Sequence, residues 1–117
     1  MRRKFTVSTL AAISAAALVL GVNSAASSSF DSQKWRSEAG NLTSSNSRHG
    51  MSLDLEKNVL RIGMTKDEVV SLLGQPDRKK KTGAFIYDLG VGIIDLDFYV
   101  LEFDEAGKLK RFYFEPG

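Results

Sequence analysis

The stretch Ile62-Gly63-Met64-Thr65-Lys66-Asp67-Glu68-Val69-Val70-Ser71-Leu72-Leu73-Gly74-Gln75-Pro76-Asp77 decides how the rest of the chain is read. Thr65 and Glu68 stand at the spacing of a capping box: the threonine hydroxyl accepts from the backbone of Glu68, and the glutamate reaches back to the backbone of Thr65. Met64 before the cap and Val69 at the fourth helical position are placed to form a hydrophobic staple. Asp67 and Glu68 set negative charge against the positive end of the helix dipole. Val69, Val70, Leu72 and Leu73 supply a buried face. Gly74 suits a left-handed C-terminal cap, and Pro76 forbids continuation. A short, well-bounded helix follows from these residues alone.

Working toward the N-terminus, Met51, Leu55, Val59 and Ile62 recur at helical spacing, with Leu53 and Leu60 on a second line, which predicts a helix from Met51 to Leu60 that Gly63 stops. Residues 27–47 are rich in Ser and Asn and show neither period, so they read as a polar, mobile leader to a domain over 48–117. Phe30 and Trp35 stand alone in that leader. Residues of that size are expected to dock on the domain or on a partner.

Working toward the C-terminus, Asp77 to Lys81 reads as a charged turn and Ala84 to Leu89 as a strand rich in aromatic and β-branched residues. A glycine-containing loop, Gly90 to Asp97, leads to a strand from Phe98 to Phe103. A third strand, Leu109 to Phe114, follows Asp104-Glu105-Ala106-Gly107-Lys108, in which Gly107 takes the positive φ of a bulged hairpin. The order helix, helix, strand, strand, strand predicts an α+β fold with two short helices packed on one face of a three-stranded antiparallel meander.

This chain resembles the SmpA/OmlA (BamE-like) proteins of outer-membrane assembly. The likeness lies in the Gly63-Met64-Thr65 start, the Leu73-Gly74-Gln75-Pro76 stop, the aromatic strand at Phe85 to Tyr87, and Phe103-Asp104-Glu105-Ala106-Gly107-Lys108-Leu109. It implies the ααβββ layer shared with the repeats of β-lactamase-inhibitor proteins and a non-enzymatic accessory role in the periplasm. In this motif Gly63, Met64, Thr65, Glu68, Gly74, Pro76 and Gly107 have structural work: capping, stapling and turning. Family members are typically lipoproteins, whereas this chain contains no cysteine to carry a lipid.

Arg2, Arg3 and Lys4, the uncharged apolar run Phe5 to Val22 and the small residues Asn23 to Ser29 have the order of a secretory signal peptide over residues 1–26, with cleavage after Ser24 or Ala26. The expected location is periplasmic or secreted. Removing the signal takes three of the 16 bases and none of the 14 acids, which leaves 13 bases against 14 acids and a formal charge of −1. The basic character of the full chain is thus a property of the signal, and nucleic acid is disfavoured as a partner. Without cysteine there is neither a disulfide scaffold nor a thiol nucleophile.

Groups able to do chemistry are sparse. His49 is the only histidine and falls at the end of the polar leader; Asp88, Asp95 and Asp97 lack the dense spacing of a calcium loop. Gly90-Val91-Gly92 lacks the third glycine and the lysine of a phosphate loop. Asn41-Leu42-Thr43 matches a glycosylation acceptor that a bacterial signal makes accidental. No catalytic residue, metal or cofactor is assigned.

Two surfaces remain for binding. Arg78-Lys79-Lys80-Lys81 offers four bases to an acidic partner or to anionic lipid. Pairing the last hairpin with Asp104 opposite Lys108 places Phe103 against Leu109, Leu101 against Arg111 and Tyr99 against Tyr113 on one side. Glu102 with Lys110, Val100 with Phe112 and Phe98 with Phe114 then share the other. Two short helices cover one face only, and either face is apolar enough to be the core; Phe98, Val100, Phe112 and Phe114 are the candidate partner face where the helices cover the other side and the leader, with Phe30 and Trp35, does not fold over them. The function expected is an envelope accessory that binds another envelope protein; the other class is a soluble inhibitor or ligand-binding module on the same fold.

Overall fold

The structure, a computed structural model, describes residues 27–117. The signal-peptide reading lies outside them. Among the described residues the elements are helices α1 (Ser32–Ser37), α2 (Arg48–Asp54) and α3 (Lys66–Leu73), then strands β1 (Arg78–Lys79), β2 (Phe85–Val91), β3 (Leu96–Phe103) and β4 (Leu109–Glu115). The strands form one antiparallel meander in the order β1-β2-β3-β4. The α+β class is as expected, with one more helix and one more strand than the pattern indicated.

Helix α3 is built as its local residues require. The Thr65 hydroxyl accepts from the Glu68 amide at 3.1 Å and the Glu68 carboxylate accepts from the Thr65 amide at 2.9 Å. Met64 and Val69 are both buried in the core. The helix ends at Gly74, whose φ of 78° only glycine adopts without strain, and the Gly74 amide donates to the Val70 carbonyl at 2.8 Å. Gly63 and Gly107 also turn the chain at positive φ, and Pro76 follows α3 in the loop before β1.

Helix α2 begins earlier than its apolar period suggests, and its end widens into a π-helical turn over Leu55–Val59, closed by the Leu60 amide on the Leu55 carbonyl at 2.9 Å. The extra residue in that turn carries Leu60 into the core and leaves Ile62 exposed, although an unbroken helical period places Ile62 on the buried line.

In place of the expected mobile leader, residues 27–47 hold α1 and a knit of turns. Asp31 caps α1 by accepting from the Lys34 amide. Trp35 is 0% exposed, seated between Phe30 and Tyr87, and joins the core of Met51, Leu55, Val69, Leu73, Tyr99 and Leu101. A six-residue helix is too short to persist alone, and the buried indole ties it to the core. Gly90 on β2 receives this segment: a Cβ there would lie 2.2 Å from the Thr43 carbonyl oxygen, so only glycine permits the approach.

The charged turn at Asp77 to Lys81 is corrected too. Arg78 and Lys79 pair with Ile86 and Phe85 as a short edge strand. The final hairpin keeps the predicted Phe103–Leu109 pair, but a bulge then shifts every pair by one: Glu102 faces Arg111, Leu101 faces Phe112, Val100 faces Tyr113 and Tyr99 faces Phe114.

Candidate functional site

That bulge divides the predicted partner face. Because side chains alternate along a strand, Phe112 and Phe114 fall beside Leu101 and Tyr99 on the face that carries the helices, while Phe98 and Val100 lie on the outer face. The four residues do not gather.

Nor is the outer face bare. Arg78 pairs with Asp88 at 2.8 Å and lies 5.2 Å from the Phe98 ring centroid. Its hydrogen bond to Asp88 raises the Arg78 pKa above the ordinary guanidinium range. Arg111 stacks on Tyr113 at 4.5 Å, the Tyr113 hydroxyl donates to Glu102, and Lys80 reaches Glu115 at 3.5 Å. Val100, at the middle of this face, is 1% exposed beneath that cover. Three of the predicted basic residues thus have local partners: Arg78 and Lys80 on this face, and Lys79 over the Phe85 ring. Lys81 is exposed in the turn that follows.

Among the described residues an open cleft of about 720 Å³ lies at one end of the sheet, bounded by the start of α2, the β2–β3 turn and the end of β4. His49, the second residue of α2, and Asp97, the second of β3, meet across it with Nε2 and Oδ2 2.9 Å apart. The Gly117 amide donates to the other Asp97 oxygen, and Gly92 leaves room for the carboxylate where a side chain would collide with it. The His49 ring packs edge-on against Phe114 at 5.9 Å. Among the described residues no hydroxyl bonds the remaining ring nitrogen of His49. Asp88, Asp95 and Asp97 do not converge, and no group of three metal-ligating side chains occurs among the described residues.

At the rim of this cleft the β2–β3 turn projects Ile93 and Ile94, 99% and 84% exposed, with Phe114 at 40%. The sequence reading passed over the two isoleucines as loop. Their signal was local: adjacent β-branched apolar residues in a tight turn, where Gly, Asn, Asp and Ser normally sit.

The support beneath the cleft was also missed. Arg48, the first residue of α2, is fully buried. Its Nε donates to the Trp35 carbonyl at 2.8 Å; its Nη1 donates to Asp77 at 2.8 Å and to the Asp88 carbonyl at 3.1 Å. Its guanidinium lies against the rings of Trp35 and Tyr87. One side chain thereby joins α1, α2, the loop before β1, and β2. Asn46 assists, donating to the Asn41 carbonyl and accepting from the Arg48 amide.

No family model matches the chain, and no curated protein matches it in sequence.

Proposed function

We propose that this chain is a non-catalytic accessory protein of the bacterial envelope that acts by binding another envelope protein, on an SmpA/OmlA-like (BamE-like) fold. The order α2, α3, β2, β3, β4 supports the family reading, with α1 and β1 as additions to it. The chain has no cysteine for a lipid anchor, and no helix among the described residues is long and apolar enough to cross a membrane. On this reading the mature protein is periplasmic or secreted once its signal is removed.

The observation that carries the binding role is the pair Ile93 and Ile94 standing free beside Phe114. Covering one such side chain is worth roughly 1.5–3 kcal/mol, and a contiguous apolar tip next to a cleft is the usual mark of an interaction site. The same protrusion favours the second reading, an inhibitor, because a projecting apolar turn suits insertion into another protein's cleft.

The test is affinity capture from periplasm and solubilised outer membrane, with the native chain and with the double variant Ile93→Ser/Ile94→Ser as baits. The native chain is expected to retain a barrel-assembly component that the variant loses while its thermal unfolding is unchanged. Recovery of a hydrolase in its place would support the inhibitor reading. Equal capture by both baits would remove the isoleucine turn as the interface.

A further inference from the structure

Strand β4 is an outer edge of the sheet, and its hydrogen bonds reveal which part of that edge is open. The Asp104 amide donates to the Lys108 carbonyl at 2.8 Å, so 104 and 108 form a hydrogen-bonded pair, and the next pair, Phe103 with Leu109, does not exchange bonds. Leu109 therefore turns its N–H and C=O away from β3. Both are taken, since the Leu109 amide donates to the Met64 carbonyl and the Gly63 amide to the Leu109 carbonyl, each at 2.7 Å. The bulge returns Arg111 to face Glu102, after which alternation turns the backbone groups of Phe112 and Phe114 outward. Among the described residues nothing bonds them on that side. Pro116, with no N–H, closes the far end. The open edge is two residues long, strapped at one end and blocked at the other.

We infer that a second copy of this chain occupies that edge, with the two β4 strands antiparallel about Tyr113. This register sets Phe112 opposite Phe114 of the second copy, twice, and uses all four outward N–H and C=O groups of each strand. It also sets Arg111 opposite Glu115 of the second copy, twice, on the outer face. Neither neighbouring register does both: centring on Phe112 places Arg111 against Tyr113, and centring on Phe114 places Phe112 against Pro116. The charges are free to respond. The Arg111 side chain is 65% exposed and its contact with Glu102 is long at 3.8 Å; the Glu115 side chain is 42% exposed, with Lys80 at 3.5 Å. Phe114 gives its backbone to this edge and its side chain to the cleft, so the charge variants test the edge without touching the cleft.

Sedimentation velocity on protein purified from cells expressing the full-length chain, diluted from about 1 mM to about 1 µM, is expected to show a monomer–dimer equilibrium. Arg111→Glu and Glu115→Arg should each weaken it on the order of tenfold, because each sets like charges opposite one another at two places. Combining the two changes should restore it to within about threefold of the native value. Amide exchange gives a second readout that needs no variant: protection of Phe112 and Phe114 should rise with concentration, while Tyr113, bonded inward to β3, should not change. A monomer across the whole range, a dimer indifferent to both charge changes, failure of the double variant to recover, or protection independent of concentration would each overturn the pairing.

Discussion

Two arginine–aspartate pairs lie on opposite sides of the β1–β2 edge, and they do different work with the same chemistry. Inside, Arg48 reaches Asp77; outside, Arg78 reaches Asp88; both contacts measure 2.8 Å. Asp88 serves both, giving its carboxylate to Arg78 and its carbonyl to Arg48, while its amide donates to Asp77. The Arg48 side chain is 1% exposed and that of Arg78 is 48%. Burial sets the consequence. A charge out of water must keep every partner it has, so Arg48 fixes where α1, α2 and the sheet meet. Arg78 stands half in water, so its own charge gains little from pairing, but it roofs Phe98 and covers the Asp88 carboxylate, which is 5% exposed beneath it.

The largest effect should come from breaking the inner pair. Asp77→Ala leaves Arg48 buried without a counter-charge and the Asp88 amide without its acceptor, and is expected to cost about 3–5 kcal/mol, read from the denaturant midpoint. Adding Arg48→Met to that variant should recover most of the loss, since a buried pair replaced by apolar side chains of similar volume is often close to neutral. If the double variant is no more stable than Asp77→Ala alone, the guanidinium is held by its two carbonyl partners and not by charge. The outer pair is the comparison. Arg78→Ala uncovers an Asp88 carboxylate that is itself only 5% exposed, so it is expected to cost about 1–3 kcal/mol, less than Asp77→Ala because water can take the place of the half-exposed guanidinium.

The same contrast separates what was legible in the sequence from what was not. Helix α3 and the Asp104–Lys108 turn are specified by residues within four positions of each other, so their caps and turns could be read directly. Helix α1 has six residues and exists because Trp35 meets Tyr87, a contact across the chain that no local period records. Strand β1 is short and paired at an edge, and the bulge at Lys110 slips the register by one, which moved Phe112 and Phe114 to the other face. Of the candidate site, Phe114 was named from its strand. His49 and Asp97 were seen separately and come together only in three dimensions, and Ile93 and Ile94 broke a turn rule that was not applied to them.

The smallest expected effect tests how the segment before Arg48 is held. Glu38, just past α1, accepts from the Asn41 side chain at 2.9 Å and from the Ser47 amide at 2.6 Å, and also from the Ser47 hydroxyl. Those bonds, Asn41 first and then Ser47, favour the carboxylate and lower its pKa from 4.5 to about 2. The folded value lies below the unfolded one, so the stability this clasp contributes is present above about pH 4.5 and is lost as pH falls through about 2. Trp35 is the sole tryptophan, and its carbonyl is the Arg48 acceptor, so its emission reports directly on whether α1 stays docked. Emission of the native protein should begin to shift as pH drops below about 4.5. In Glu38→Gln the amide oxygen can still accept but carries no charge to protonate, so part of that shift should be absent. An identical acid response in both proteins would show that the Glu38 clasp follows the docking of α1 and does not help to hold it, leaving Trp35 and the buried Arg48 to fix that segment by themselves.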